Sequence, residues 1–399
     1  MRTCFLDRTT QDGGSAGGGG DADTANESGL ARYFGFAEHA TDLRTEVLAG
    51  VTTFLTMSYI VVVNPAVMTA IPGEDGKPGI AIQGYTPGEV QQMLAVVTIL
   101  AAAVAIFVMA FYANRPFGQA PGLGLNAFFA FTMVGALGIP WQTALAAVVT
   151  EGVLFMFLTA VGAREYVIEL FPEPVKYAVG TEIGLFLAII GLEAMGVVVD
   201  DPATLVTLGA VAADPVAIVA VFGFFLTAVL YARGLKGSIV IGVLLTTLVG
   251  YLATVAGFAE PGVLFPETLP SAQYNITPLV GAFLSGFGSV DAFAFSLVVF
   301  TFFFVDFFDT AGTLVGVGQA GGFLDEEGNM PHIDRPLMAD AIGTTVGGIL
   351  GTSTVTTYIE SATGVEEGGR TGMTALMIGL CFLAALVVVP LAAAIPLYC

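Results

Sequence analysis

Apolar stretches of about 18–22 residues recur along most of this sequence, each long enough to cross a hydrocarbon layer of about 30 Å. Inside such a layer every backbone N–H and C=O needs a partner within the chain, so a chain of this pattern is restricted to bundled helices. Only 11% of the 399 residues are charged and 55% are hydrophobic; a soluble domain of that length needs far more charge to cover its surface. The sequence specifies an all-α polytopic membrane protein. Spans are predicted at roughly 48–68, 92–113, 118–137, 141–162, 181–199, 214–232, 238–257, 296–317, 336–351, 352–368 and 372–395, about eleven in all.

Two of these spans carry carboxylates where lipid disfavours them. Phe303-Phe304-Val305-Asp306-Phe307-Phe308-Asp309-Thr310 holds two acids, and Thr356-Thr357-Tyr358-Ile359-Glu360-Ser361 a third. An ionised side chain at the bilayer centre costs roughly 2.5–3.5 kcal/mol on insertion scales, and the same spans offer no base to offset it. Asp306 and Asp309 stand three apart, hence on one helix face, with Thr313 a turn further on. The bland alternative is that they cap a neighbouring helix or meet a buried base. A polar site inside the bundle fits the residues better.

Two spans are poor continuous helices. The third opens Gly118-Gln119-Ala120-Pro121-Gly122-Leu123-Gly124-Leu125-Asn126, where proline and glycines break the start. The tenth opens with the β-branched run from Thr352 to Thr357, which favours extended backbone. Broken spans survive in lipid only where protein or an aqueous cavity satisfies the backbone. Each would present a half-helix N-terminus near the midplane, one at about Asn126 and one at about Glu360, and paired broken spans in the two halves mark a transporter of inverted repeats. Asn126 can donate and accept, which suits the edge of a heterocycle, or equally an interhelical hydrogen bond.

The remaining polar residues are less informative. Arg370 reads as an anchor at a turn, Glu151 and Glu193 as helix-packing or lumen-edge residues, and Trp141 as an interfacial residue. Gly316-Val317-Gly318-Gln319-Ala320-Gly321 matches the dinucleotide fingerprint by letter but follows a helix rather than a strand, so it carries no such meaning. Cys4, Cys381 and Cys399 have no metal-ligand or disulfide spacing, and His39 and His332 fall in loops, so no metal or cofactor is expected.

An acidic, glycine-rich tail over residues 1–32 includes Gln11-Asp12-Gly13-Gly14 and is too low in complexity to pack. No signal peptide precedes the first span, which is expected to direct insertion itself. With the N-terminus cytoplasmic, eleven of the twelve bases fall on the cytoplasmic side and only Lys77 outside. The net charge of −21 fits a surface adapted to a high-salt cytoplasm, as in halophiles, or an ordinary acidic surface, and argues against nucleic-acid partners.

The run Phe117 to Phe129 (Phe-Gly-Gln-Ala-Pro-Gly-Leu-Gly-Leu-Asn-Ala-Phe-Phe), the run Val305 to Leu314 and the run Thr357 to Gly372, with Arg44 to Ile60 at the first span, resemble the guanine/hypoxanthine permeases. These are the azaguanine-resistance branch of the nucleobase:cation symporter-2, or xanthine-uracil permease, superfamily. The resemblance covers about residue 33 to the end. It implies fourteen spans in two inverted seven-span repeats, with short antiparallel strands in spans 3 and 10 meeting at the substrate.

Carried onto this chain, residues 33–162 form core spans 1–4, 163–257 gate spans 5–7 and 258–399 core spans 8–11. The resemblance leads one to expect gate spans 12–14 as well, which this sequence, reaching about span eleven, is expected to lack. The resemblance further implies that Asn126, Asp306 and Glu360 bind the purine and that Asp309 or Glu360 couples it to a proton. Burial disfavours the ionised carboxylate, which suits an acid that loads and releases a proton. Phe128, Phe307 and Phe308 are candidates for stacking on the base.

The expected function is import of guanine, hypoxanthine and, with them, adenine by proton symport across the cell membrane, with a homodimer compatible. The alternatives are a same-fold permease for uracil or xanthine, a carrier of a small anion, and a transport-inactive membrane protein that binds purines. An enzyme is disfavoured, since no nucleophile–base pair is visible.

Overall fold

A computed structural model describes residues 29–71, 77–163, 173–201, 204–260, 262–264, 272–288, 292–326, 330–392, 394–396 and 398. Residues 1–28 of the predicted tail, with Cys4, lie outside the described residues, as does Cys399, while 29–32 begin a helix. The first half contains α1 (Gly29–Phe34), α2 (Leu43–Met57), α3 (Ile60–Met68), α4 (Pro87–Val108), β1 (Gln119–Pro121), α5 (Leu123–Ala127) and α6 (Trp141–Ala160). Then come α7 (Glu173–Ala194), the hairpin β2 (Val198–Asp201) and β3 (Leu205–Leu208), α8 (Pro215–Ala232) and α9 (Ser238–Val255). The chain continues with α10 (Phe283–Gly286), α11 (Ala292–Gly321), α12 (Asp334–Leu350), β4 (Val355–Thr357), α13 (Ser361–Glu366), α14 (Gly372–Ala385) and α15 (Val389–Ala392).

Among the described residues, 43–68, 87–113, 141–160, 215–232, 238–255 and 292–321 are long and apolar enough to cross a membrane. Local chemistry sets their ends. Asp42 accepts from Thr45 N at 2.8 Å to start α2, and Thr86 and Glu89 form a reciprocal capping box ahead of Pro87 on α4. Gly351 ends α12 at φ +106°, a conformation that a side chain resists.

The two ends of the chain repeat one order of elements. A long helix (α2 with α3, or α11) is followed by a second helix (α4, or α12), a strand with a short helix (β1–α5, or β4–α13), and a fourth helix (α6, or α14). The repeats interlock crosswise: α12 packs on α6 as α4 packs on α14, and α14 packs on α2 as α6 packs on α11. β1 and β4 pair antiparallel, Gln119 opposite Thr357 and Pro121 opposite Val355. The same order of elements at both ends, packed crosswise, is the pattern of two structural repeats. Between the repeats, α8 and α9 pack chiefly on each other, through Gly223 against Thr246 and Gly242 against Thr227.

Several features depart from the sequence reading. The first predicted span is two helices, broken at Ser58–Tyr59. The fifth, predicted at 181–199, is helical only to Ala194, and Val198 onward turns into the β2–β3 hairpin. Two helices loosen into π-helix, Met109–Ala113 and Phe128–Ala136. The letter match to the dinucleotide fingerprint at 316–321 is the end of continuous α11, with no strand before it.

Close approach of helices makes the small residues testable. A Cβ on Gly152 of α6 would stand 2.7 Å from Thr345 N and 3.0 Å from Thr345 Cα on α12, backbone that cannot rotate away. Gly152→Leu is expected to destabilise the protein by about 1–3 kcal/mol through overpacking, read as a lower unfolding midpoint in detergent.

Candidate functional site

The site is organised by the stretch from Thr352 to Tyr358, in which nearly every residue is held by a different element. Thr352 accepts from Asn64 Nδ2 of α3 at 3.0 Å, and Asn64 also donates to Thr98 of α4 at 2.5 Å. Ser353 donates to Asn126 Oδ1 on α5. Thr354 donates to Glu151 Oε2 on α6 at 3.1 Å, while its carbonyl accepts from Gly122 N at 3.0 Å. Thr357 accepts from Gln119 Nε2 at 3.2 Å, and the Tyr358 hydroxyl donates to Pro121 O at 2.6 Å. A β-branched run cannot use a helix to satisfy its backbone here, so strand pairing and threonine hydroxyls do so instead.

Four acids gather behind and beside this strand. Asp306 is fully buried on α11, and Thr310 one turn later donates toward Asp306 Oδ1 at 3.2 Å. The same hydroxyl lies 3.3 and 3.2 Å from the two oxygens of Asp340, a fully buried acid on α12, and 3.1 Å from Thr356 Oγ1. Asp309 is partly buried, bonded to Thr356, and close enough to Asp340 and Glu360 for their charges to interact. A Cβ on Gly122 would stand 2.8 Å from Thr356 Cγ2, so the glycine after β1 makes room for the threonine that bonds Asp309. Thr310→Val removes a donor that Asp306 and Asp340 share, and is expected to lower stability by about 1–3 kcal/mol; the unfolding midpoint checks it.

Glu360 stands at the N-cap of α13, partly buried, and accepts from the Tyr59 hydroxyl at 2.7 Å through Oε1. It also lines a cavity of about 810 Å³ bounded by α13 and by the loop between α8 and α9, with Leu235 and Gly237 on the facing wall. Lys236 on that loop pairs with Glu367 at the end of α13. Of the four acids and amides singled out in the sequence, Glu360 alone is on this cavity wall.

The structure therefore joins Asp306, Asp309 and Glu360 into one cluster and sets Asn126 beside it. Asn126 is fully buried, its Oδ1 taken by Ser353 and its Nδ2 without a hydrogen-bond partner among the described residues. The interhelical reading of this amide is realised in half. Phe307 and Phe308 are 3% and 1% exposed and lie in the core, against Phe303 and Phe304 respectively, which removes them from the cavity wall. Phe128 meets Phe302 edge-on. Arg370 binds Val365 O and Gly369 O at 2.6 and 2.8 Å and so caps the end of α13. Glu193 is exposed at the end of α7.

Sequence reasoning missed Asp340, Tyr59 and Glu46. Asp340 carried the same signal as the others, an acid in an apolar span. Glu46 is fully buried in the first turn of α2 and accepts from Arg370 N, Thr371 N, Thr374 N and Thr374 Oγ1, capping α14. No group of three or more His, Cys, Asp or Glu placed to hold a metal occurs among the described residues.

Interlocked repeats whose broken spans meet beside buried acids define a membrane transporter of the discontinuous-helix type. The chain belongs to the Permease family (Xan_ur_permease), whose profile matches residues 44–399. It is 37% identical over 375 residues to the adenine permease AdeP of Escherichia coli, covering 94% of this chain and 78% of that protein. It is also 37% identical over 366 residues to the guanine/hypoxanthine permease PbuO of Bacillus subtilis, covering 91% and 79%. These relatives are transporters, not enzymes. Among solved structures, the transmembrane domain of a cyanobacterial bicarbonate transporter, BicA, superposes with a TM-score of 0.63 at 15% identity, over 89% of this chain and 85% of that one. At that identity the likeness is one of fold.

Proposed function

We propose that the protein imports guanine and hypoxanthine by proton symport. The observation that carries this reading is Glu360, a carboxylate on the wall of a cavity of about 810 Å³ in a chain of the permease family. Cavities of about 300–1,000 Å³ suit small ligands. A carboxylate oxygen accepts from purine ring N–H groups, and a charged acceptor makes the stronger hydrogen bond. Asn126 and Asp306 complete the purine site in this reading, Asp306 through the Thr310–Thr356 network, and Asp309 or Glu360 carries the proton. Residues 33–162 and 258–399 make up the substrate-bearing core and 163–257 the gate, which the self-contained packing of α8 on α9 supports. The N-terminus is cytoplasmic, as the distribution of bases favours.

The test is uptake of labelled hypoxanthine by cells lacking their own purine permeases, with guanine, adenine and uracil as unlabelled competitors. Competition by guanine and collapse of uptake on adding a protonophore are the expected results. Stronger competition by adenine moves the substrate to the aminopurines, as with AdeP among the relatives; competition by uracil instead of guanine rejects the purine reading. Uptake that survives the protonophore rejects proton coupling.

A further inference from the structure

The first span is docked on α13 by a ladder along one face of α2 and its broken end. Thr53 Oγ1 lies 2.1 Å from where a Cβ on Gly364 would stand, Thr56 Oγ1 meets Thr363 Oγ1 at 3.1 Å, and the Tyr59 hydroxyl meets Glu360 Oε1 at 2.7 Å. The positions 53, 56 and 59 are three apart, so they face the same way while α2 lasts. Tyr59 falls in the break between α2 and α3. The neighbouring phenol, Tyr358, is committed to Pro121 O.

We propose that Tyr59 is a positioning residue for Glu360: its hydroxyl engages one carboxylate oxygen and fixes the carboxylate plane, so that the side chain offers a purine N–H an oriented acceptor. This rests on the purine reading above. The terminal torsion of a glutamate is broad and roughly two-fold, so a carboxylate on a cavity wall has no preferred orientation of its own. A donor at the break of the first span, packed against α13, supplies one, and it does so before the ligand arrives, which lowers the ordering cost at binding. Tyr59 thereby ties the geometry of the acceptor to the first span, 301 residues away in sequence.

The experiment uses the full chain in detergent, wild type beside Tyr59→Phe and Tyr59→His, with labelled hypoxanthine as the probe. Equilibrium binding gives Kd, uptake after reconstitution into vesicles gives KM and Vmax, and the unfolding midpoint reports the fold. Loss of one hydrogen bond to a charged group is expected to weaken Kd and raise KM about tenfold in Tyr59→Phe, with Vmax and midpoint near wild type. Tyr59→His, which keeps a ring N–H donor, is expected to recover part of the affinity. A Tyr59→Phe protein that binds like wild type overturns the role. So does a loss of affinity matched by a loss of folded protein, since that is a docking contact and not a positioning one. Wild-type protein that binds no hypoxanthine at all overturns the purine reading itself, which keeps the two failures apart.

Discussion

Glu360→Gln is expected to lower hypoxanthine uptake by about 10–100-fold, the value of a hydrogen bond to a charged acceptor converted to a ratio. The amide has nearly the shape of the carboxylate, and its Oε1 still accepts from the Tyr59 hydroxyl, so the docking of α13 on the first span persists. What disappears is the charge, and with it the strong acceptor and the group able to take up a proton. Uptake of labelled hypoxanthine at matched membrane expression is the measurement. Uptake equal to wild type would remove Glu360 from both of its proposed roles. Retained purine binding with lost uptake would assign it to coupling rather than to recognition.

The largest stability effect is expected at Glu46. Its fully buried carboxylate takes three backbone N–H groups and one hydroxyl at the start of α14, where α2 and α14 meet. Glu46→Ala removes a helix cap and leaves several buried donors without an acceptor. The expected cost is about 2–4 kcal/mol, seen as a fall in the unfolding midpoint. Glu46→Gln keeps one carbonyl oxygen at the same place and is expected to lose less. Because Arg370 N is one of the donors, the turn between α13 and α14 is expected to loosen with it.

Much of the site was legible because lipid makes charge expensive. Asp306, Asp309 and Glu360 announce themselves as acids in apolar spans, and the structure brings all three together. Asp340 escaped notice although it bears the same signature, because it sits only a few residues into its predicted span and reads as a span-end acid. The extended backbone of the broken spans was readable from Pro121, Gly122 and the threonine run. That β1 should find β4 came from the resemblance to known permeases and not from spacing.

Other elements left no local mark. Tyr59 is an aromatic residue in an apolar span, where aromatics are common, and only its partner across the bundle gives its hydroxyl a meaning. The facing of Phe307 and Phe308 was unreadable for a similar reason. Sequence puts them next to the acids, but the helix turns their rings into the core, which periodicity in an all-apolar span cannot distinguish. The π-helical stretches and the β2–β3 hairpin follow from packing and turn geometry that composition does not encode.

The pairing of β1 with β4 bears on how such a chain is made. Gln119 and Thr357 are 238 residues apart, so while the polypeptide is being synthesised the third span enters the bilayer long before its partner exists. Until then the strand's N–H and C=O groups have nothing to bind in a medium that punishes every unmet one. The half-built chain therefore needs water, lipid headgroups or another protein to meet those groups until the second half arrives. A site that needs the contact of β1 with β4 can form only after the segment carrying β4 has been made, whatever the first half has reached by then.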